Sequence, residues 1–523
     1  MNGIHKKAII PRTDEIILSL HNRGEGLFWE RYEHQLPLCG FTSHGLNCRK
    51  CFKGPCRINP FGDEPSLGIC GADRDQIVME NIFQTTLEGV LETARSLSLL
   101  DDKALGQELP DISRDMPSGT KKRLRSLGLL PVRQTHLLRV QDSYFSHKGF
   151  LTETLMDLMR LGLIQYSFFK QTEVSGPAGA GSPRGHKGVN ILILGQASPR
   201  LIESLRNRRE PGHQGKPLRI FAQGLNAIPG TELLTDHGDP ELALAMDLDG
   251  LIIAPDASLP GLEGLARRLD VPVFLIDTHK PPEQLASEVI AAVHHHTQTD
   301  AHDSPFRLSR PSECETDVQA LVDNRQKLRA ALKNGQIRGI VVIMGEAHVK
   351  QPFFERTLTL MEHALDHRFL VFLGGQVAAH ADLLIEEARR RPGQDPASIL
   401  NKADGLGFSQ VACLGSIARI PRLVTLLKSL TGQRPFGEAP VVMAFPEFFR
   451  ASTWATAVSF LSLGFSVQIG TPLPFWGSPS LTEVLLRDWP AISGGRLLAS
   501  PTVPDGETQA REIVTRCEKQ KHL

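Results

Sequence analysis

The sequence has no excess of charge of either sign, because its 58 lysines and arginines are balanced by 58 aspartates and glutamates. A chain with a formal net charge of zero and no basic run has no long-range attraction for a phosphate backbone. The sequence also lacks any apolar run of the roughly 18 residues that a membrane-spanning helix requires. Residues 1–20 contain no apolar core of a signal peptide. We therefore expect a cytoplasmic protein that neither binds nucleic acid nor enters a membrane.

Cysteine is scarce as well, with eight residues in a chain of 523, yet five of the eight lie between Cys39 and Cys70. In a short secreted domain such clustering would predict a disulfide framework. In a large chain from a reducing compartment, the same clustering is typical of metal binding. The segment from Cys39 to Cys70 is therefore the first candidate site.

Hydrophobic periodicity divides the chain into three predicted domains. Residues 1–180 are mainly helical around the cysteine segment, and residues 174–188 form a linker rich in glycine and proline. From residue 189 onward, short apolar runs alternate with helical segments, which is typical of parallel βαβ units. A polar stretch near residue 300 separates a middle domain, 189–312, from a C-terminal domain, 313–523. The predicted fold class is α/β, with a helical N-terminal domain followed by two Rossmann-like, doubly wound parallel sheets.

Four of the clustered cysteines have a spacing that suits one compact site. Cys48, Cys51 and Cys56 follow the pattern Cys-x₂-Cys-x₄-Cys, and Cys70 comes shortly after. Such a set can supply the four thiolates of a [4Fe-4S] cubane. A tetrahedral zinc ion is the alternative, although zinc sites usually pair two Cys-x₂-Cys units and here the second unit is missing. The spacing favours the cubane and leaves zinc open.

The residues around these cysteines resemble a known family. Gly-Pro-Cys-Arg-Ile at Cys56 and Gly-Ile-Cys-Gly-Ala-Asp at Cys70 resemble the cluster loop of the anaerobic nickel–iron carbon monoxide dehydrogenases, which are related to the hybrid-cluster (prismane) proteins. Similar segments recur at 339–345, 446–447 and 470–479. The resemblance implies a homodimer with a cubane on Cys48, Cys51, Cys56 and Cys70. It also implies a cluster that bridges the dimer axis and a catalytic nickel–iron–sulfur cluster.

The sequence departs from this family at the dimer axis. The bridging cluster would use Cys39 and the residue before Cys48, which is Asn47. Two protomers then offer two thiolates in place of four, so we do not expect a complete bridging cubane. Cys39 remains a candidate ligand at the axis, and a free buried thiol is the alternative.

The departures are broader at the catalytic cluster. Thiolates bind nickel and iron as soft anionic ligands, and amide, alanine or isoleucine side chains cannot replace them. The family's nickel-cluster ligands, one histidine and five cysteines, fall in this chain on Gln196, the segment 224–227, Ala257, Glu346, Gln376 and Ile417. Only three cysteines follow Cys70. We therefore predict that the Ni-Fe-S cluster is absent and that the protein does not oxidise CO by the family's mechanism.

The crevice at the strand ends, where open α/β sheets place ligands, offers replacement candidates. Glu346, His348 and His380 could hold one metal ion or act as acid and base, although a polar filling of a vacated site is the alternative. We therefore predict an iron–sulfur redox protein with a role in electron transfer, redox sensing or a partner subunit. An electron-transfer protein is its expected partner. The alternatives are an oxidoreductase that uses the replacement site, and a scaffold for a true dehydrogenase.

Overall fold

The computed structural model describes most of the chain, in sixteen ranges. These are residues 7–96, 108–133, 135–145, 151–172, 189–195, 197–207, 218–223, 232–233, 240–246, 248–254, 260–277, 280–298, 318–390, 408–415, 417–499 and 505–520. The predicted linker and both predicted domain boundaries lie outside these ranges, so those boundaries stay predictions. None of the described helices combines the length and the apolar character that a membrane crossing requires.

The N-terminal part is mainly helical, as predicted. Its helices are α1 (Pro11–Asn22), α2 (Phe28–His34), α3 (Gly40–Ser43), α4 (Arg74–Ser96), α5 (Ser118–Ser126), α6 (Thr135–Phe145) and α7 (Leu151–Gln171). A short hairpin of β1 (Asn47–Cys48) and β2 (Cys56–Arg57) interrupts them and carries two of the clustered cysteines. Sequence periodicity did not predict this hairpin, because a two-residue strand is too short for a period of two to be recognised.

The middle part contains a parallel sheet of five strands in the order β5-β4-β3-β6-β7. The strands are β3 (Val189–Leu194), β4 (Leu218–Gln223), β5 (Glu232–Leu233), β6 (Gly250–Ile253) and β7 (Val273–Leu275). The described helices of this part are α8 (Pro199–Asn207), α9 (Pro240–Leu244), α10 (Pro260–Arg268) and α11 (Pro282–Gln298). The predicted alternation of strands and helices is confirmed here, and the two-residue strand β5 was missed.

The C-terminal part contains a parallel sheet of six strands in the order β10-β9-β8-β11-β12-β13. The strands are β8 (Gly339–Ile343), β9 (Phe369–Gly374), β10 (Val411–Gly415), β11 (Val441–Phe445), β12 (Ser466–Ile469) and β13 (Arg496–Leu498). Numbered within the domain, this order is 3-2-1-4-5-6, the order of doubly wound Rossmann sheets. The chain reverses direction across the sheet between β8 and β11, so the topological switch point lies at the carboxyl ends of these two strands.

Nine helices accompany the described strands of this sheet. They are α12 (Val318–Asp323), α13 (Arg325–Lys333), α14 (Glu355–Asp366), α15 (Gln376–Ala379), α16 (Ala381–Arg390), α17 (Ile420–Thr431), α18 (Ala451–Leu463), α19 (Pro479–Ile492) and α20 (Gly506–Glu518). Helices α12 and α13 are separated at Asn324. The side-chain amide of Asn324 donates to the carbonyl of Ala320 at 2.9 Å, and such local bonds compete with the regular helix.

Helix α18 joins the helical part to the C-terminal sheet. Every residue from Ser452 to Leu463 is buried, and the helix packs against α4 and α7. Close approach depends on two glycines. A Cβ atom added at Gly89 would lie 2.1 Å from the carbonyl oxygen of Ala451, and one at Gly162 would lie 2.7 Å from that of Val458. The helical core is therefore completed by a helix that comes almost 300 residues later in the chain.

The first two helices pack elsewhere, against the two sheet-containing parts. Ala8 forms an isolated parallel bridge with Phe353, which precedes α14. The ring of Trp29 lies 4.9 Å from that of Phe353, and the N–H of Phe28 donates to the carboxylate of Glu241 on α9 at 2.8 Å. The N-terminal segment thereby ties the middle part to the C-terminal part.

Candidate functional site

The four predicted cluster cysteines lie between α3 and α4, on the β1–β2 hairpin and the loops that follow it. In this antiparallel ladder Cys48 is directly opposite Cys56, which places the two side chains on the same face. Cys51 lies in the turn between the strands, where the N–H of Gly54 donates to the Cys51 carbonyl. Cys70 belongs to the segment that leads into α4.

The loop around Cys70 closes onto the hairpin. The N–H of Ile69 donates to the sulfur of Cys56 at 3.5 Å, and a Cβ atom at Gly68 would lie 3.8 Å from that of Cys56. Burial raises the pKa of the Cys48 thiol, the backbone N–H of Lys50 opposes this, and the charges of Cys56 and Cys70 add to the rise. Cys48, Cys56 and Cys70 are therefore close enough to interact electrostatically.

The donor chemistry of this arrangement fits a cubane. Among the described residues, no three His, Cys, Asp or Glu side chains are grouped closely enough to hold one metal ion. The four thiolates of a cubane each bind a different iron, and amides that donate to sulfur stabilise such clusters. The backbone N–H groups of Ile69 and Lys50 are placed to donate to cysteine sulfur in this way. Cys48, Cys51, Cys56 and Cys70 are thus the residues that would hold the cluster.

Helix α4 supports the loop from behind. The side-chain amide of Asn81 donates to the carbonyl oxygens of Gly45 and Asn47, both at 2.8 Å. Lys50 and Glu80 form a largely buried ion pair at 2.9 Å. These contacts fix the position of the strand that presents Cys48, and the composition of the cysteine loop alone does not predict them.

Cys39, the candidate ligand at the dimer axis, lies just before α3. Its side chain is exposed in the single chain, so it is not buried within the protomer. Hydrogen bonds from the hydroxyl and the backbone N–H of Thr42 lower the pKa of this thiol. An exposed cysteine with a lowered pKa forms a thiolate readily, which keeps it available as a ligand. Asn47 is half-buried beside Cys48.

The second candidate region is the switch point between β8 and β11. Glu346 follows β8 and is 2% exposed. Its carboxylate accepts hydrogen bonds from the hydroxyl of Thr453 and from the N–H of Phe449, the latter at 3.4 Å. Burial raises the pKa of Glu346, and Arg450 opposes the rise. Glu346 therefore links the loop after β8 to the start of α18.

His348 lies two residues farther along and lines a cavity of about 200 Å³. The other walls come from α4, from the loops after β11 and β12, and from α18. The N–H of Lys350 donates to Nδ1 of His348 at 3.0 Å. Burial, Lys350 and Arg356 lower the pKa of His348 to about 4, so the imidazole is neutral at physiological pH and its proton is on Nε2.

His380 is separate from this cavity. Its ring is buried, donates from Nδ1 to the carbonyl of Gln376 at 2.7 Å, and lies 4.6 Å from the ring of Phe354. Glu346, His348 and His380 do not form a metal-binding group among the described residues. The structure therefore brings Glu346 and His348 onto one loop and leaves His380 on another. Gln196, residues 224–227 and Ala257 lie outside the described residues.

Sequence reasoning gave no role to Glu447, which follows β11. It is 1% exposed, and its carboxylate accepts hydrogen bonds from the N–H groups of Phe354, Arg356 and Thr357 at 3.0, 2.9 and 3.2 Å. Glu447 thus caps the N-terminus of α14 from a different element of the fold. Burial raises its pKa to about 7. Its only sequence signal is an acidic residue directly after a buried strand.

Comparison with known proteins agrees with this geometry. A sequence profile of the Prismane/CO dehydrogenase family matches residues 46–115. The chain is 23% identical to carbon monoxide dehydrogenase 1 of Methanosarcina mazei, with 95% of each chain covered. It is 25% identical to the carbon monoxide dehydrogenase of Rhodospirillum rubrum, with 89% of this chain and 91% of the relative covered. The fold is similar to that of carbon monoxide dehydrogenase IV from Carboxydothermus hydrogenoformans, with a TM-score of 0.78, 18% identity and 99% of both chains covered.

A four-cysteine loop on a helical part, combined with two parallel sheets of Rossmann-like strand order, defines an α/β protein class with a ligand crevice at the strand ends. Within that class, the chain is similar to the Prismane/CO dehydrogenase family. The resemblance that the cysteine loop predicted is confirmed, and so is the α/β fold class.

Proposed function

We propose that this protein is a cytoplasmic iron–sulfur redox protein that binds one [4Fe-4S] cluster per chain through Cys48, Cys51, Cys56 and Cys70. The observation that carries the proposal is the cysteine hairpin. Cys48 and Cys56 face each other across the β1–β2 ladder, and the Cys70 loop donates an amide to the sulfur of Cys56. The cluster would supply one-electron chemistry, and the chain supplies the thiolates and the amides around them.

We further propose that the chain does not oxidise CO through a Ni-Fe-S cluster. The described positions that correspond to the family's cluster ligands are Glu346, Gln376 and Ile417, and none of them offers a thiolate. Of the cysteines after Cys70, Cys517 is fully buried in α20, and burial raises its pKa to about 12. A cluster that needs five thiolates therefore lacks its donors.

A homodimer and an electron-transfer partner complete the proposal. Six large hydrophobic side chains are exposed within the segment 36–69 that surrounds the cysteines. They are Leu36, Leu38, Phe52, Phe61, Leu67 and Ile69. An apolar surface of this kind marks a protein interface, and the family resemblance supports a second copy of the chain as its occupant. Cys39 would then lie near the interface as a candidate ligand at the axis.

The direct test is the content of iron, nickel, zinc and acid-labile sulfide per chain in anaerobically purified protein, with EPR spectra of the reduced form. About four irons and four sulfides without nickel are expected for a lone cubane. One zinc without sulfide would refute the cluster. Nickel together with eight or so irons would refute the loss of the catalytic cluster.

Substitution of single cysteines separates the loop from the remaining thiols. Cys56→Ser should reduce iron and sulfide well below the wild-type content, because serine is a poor ligand for the cluster. Cys413→Ser is the matched control, since Cys413 lies on β10, which belongs to a different sheet from the hairpin. Equal iron loss in both variants, or in neither, would contradict the assignment of the loop.

An oxidoreductase with a replacement site at the strand ends is the second candidate. It is favoured by the position of His348, whose neutral ring lines a cavity at the switch point. Electrons would pass from substrate to the cubane. Dye reduction that depends on a small molecule and is lost in His348→Gln would support the oxidoreductase. Dye reduction that occurs only with a partner protein would support the electron-transfer protein.

A further inference from the structure

The cavity at the switch point has mainly apolar walls. Ile82 comes from α4, Phe448 follows β11, Trp454 belongs to α18, and Leu473 follows β12. Exposed Phe449 is also among the lining residues, so the cavity reaches the surface. A volume near 200 Å³ exceeds the engineered apolar cavity of about 150 Å³ that accommodates benzene. A compact organic molecule therefore fits.

One cationic side chain lines this cavity. Arg450 lies at the start of α18, with its guanidinium 5.5 Å from the ring of Phe449. Its nearest acid is Glu92, at 3.9 Å, which is close to the limit for an ion pair. The other oxygen of Glu92 accepts the N–H of Ser452 at 3.2 Å. Arg450 is thus held in place without a bidentate carboxylate partner of its own, and a guanidinium offers five N–H donors.

His348 supplies a second donor. Because the N–H of Lys350 occupies Nδ1 and the ring is neutral, Nε2 carries a proton that can be donated to a ligand oxygen. The imidazole cannot attract an anion by charge. It can bind one only by a hydrogen bond, which gives orientation more than affinity.

The charge around His348 points to an anionic ligand. Lys350 is exposed, and it forms no ion pair with any residue that the structure describes. Arg356 also depresses the pKa of His348, although Glu447 lies beside Arg356 and offsets its charge. On the acidic side, Glu346 is buried with a raised pKa and Glu92 faces Arg450. The cation on the cavity wall is Arg450, and a bound anion would pair with its charge.

We propose that this cavity binds a small monocarboxylate, whose carboxylate group pairs with Arg450 and accepts the Nε2 proton of His348 while its hydrocarbon part lies against Trp454 and Leu473. A planar carboxylate matches the guanidinium fork. The apolar walls disfavour phosphate or a dicarboxylate, which would bring a second charge without a partner. The proposal does not depend on the cubane, because no cluster cysteine lines the cavity.

The test is isothermal titration calorimetry of the purified, cluster-containing protein with acetate, propionate and benzoate. Propionamide and benzamide are the matched neutral ligands, since they keep shape and remove charge. We expect propionate or benzoate to bind at least about tenfold more tightly than its amide. Equal affinities for acid and amide would overturn the proposal, and so would the absence of binding by every acid up to about 10 mM.

Two substitutions locate the site. Arg450→Gln should weaken propionate binding about tenfold or more, whereas Arg487→Gln, an exposed arginine on α19, should leave it unchanged. Unchanged affinity in Arg450→Gln would overturn the assignment. If the wild-type protein contained no iron but still bound the carboxylate, the cluster proposal alone would be refuted. The failure of one proposal can therefore be distinguished from the failure of the other. The comparison of acid with amide needs no variant, so it holds even if Arg450→Gln folds poorly.

Discussion

The side-chain amide of Asn81 donates to the carbonyl oxygen of Asn47 at 2.8 Å. The same amide donates to the carbonyl of Gly45 at 2.8 Å. Through these two bonds, one side chain on α4 holds the strand that ends at Cys48. Asn47 is thus used through its backbone carbonyl to fix the position of Cys48, the candidate cluster ligand beside it.

We predict that Asn81→Leu weakens retention of the cluster. The variant keeps the approximate volume but leaves two carbonyl oxygens without their donor, which costs about 1–3 kcal/mol. The rate of iron transfer to a chelator should rise roughly fivefold or more. Gln84→Leu, at an exposed position one turn farther along α4, is the control. Equal iron release from both variants would show that Asn81 does not support the loop.

We predict that Gly89→Ala destabilises the protein by forcing α4 away from α18. The added methyl group would lie 2.1 Å from the carbonyl oxygen of Ala451, and backbone atoms cannot relax as a flexible side chain can. Overpacking of this kind costs about 1–3 kcal/mol or more. Urea denaturation at constant pH measures the loss.

The control for Gly89→Ala is Gly119→Ala, in helix α5. A Cβ atom there meets no atom within 4 Å, so only the gain in helix propensity remains, at most about 1 kcal/mol. The two variants make the same chemical change and should shift stability in opposite directions. Destabilisation of the same size in both would contradict the steric argument.

We predict a stability change with pH that arises from Glu447. Its folded pKa of about 7 lies above its usual value of 4.5, so the folded state holds this proton more tightly than the unfolded state. Stability from this group is complete below pH 4.5 and is lost as the pH rises through 7, by an amount on the order of 3 kcal/mol. Glu447→Gln should flatten the free energy of unfolding between pH 5 and 8, whereas Glu438→Gln at an exposed position should not. Parallel profiles for Glu447→Gln and the wild type would refute the shift.

We predict the opposite sign for His348. Its folded pKa of about 4 lies below its usual 6.5, so the unfolded state binds a proton first as the solution is acidified. The stability contributed by the neutral ring is present above pH 6.5 and decreases as the pH falls toward 4. His348→Gln should reduce the loss of stability between pH 7 and 5. His34→Gln, at an exposed position, serves as the comparison, and a loss identical to that of the wild type in His348→Gln would disprove the prediction.

The cysteine pattern, the α/β class and most strands of the two sheets can be predicted from the sequence alone. Runs such as 339–343 and 441–445 are apolar throughout, since strands buried on both faces need no polar alternation. The family resemblance also came from the sequence. Four cysteines with fixed neighbours form a pattern that lies entirely within one short segment of the chain.

The contacts between distant segments become visible in the folded chain and not in the sequence. Glu447 caps α14 across the switch point, Asn81 supports the cysteine strand, and α18 completes the helical core. None of these contacts leaves a local pattern, because each depends on the strand order and on the approach of two backbones that glycines such as Gly89 allow. For the same reason His348 and His380 were predicted together and lie apart. The sequence specifies which functional groups are present, whereas packing sets the distances between them.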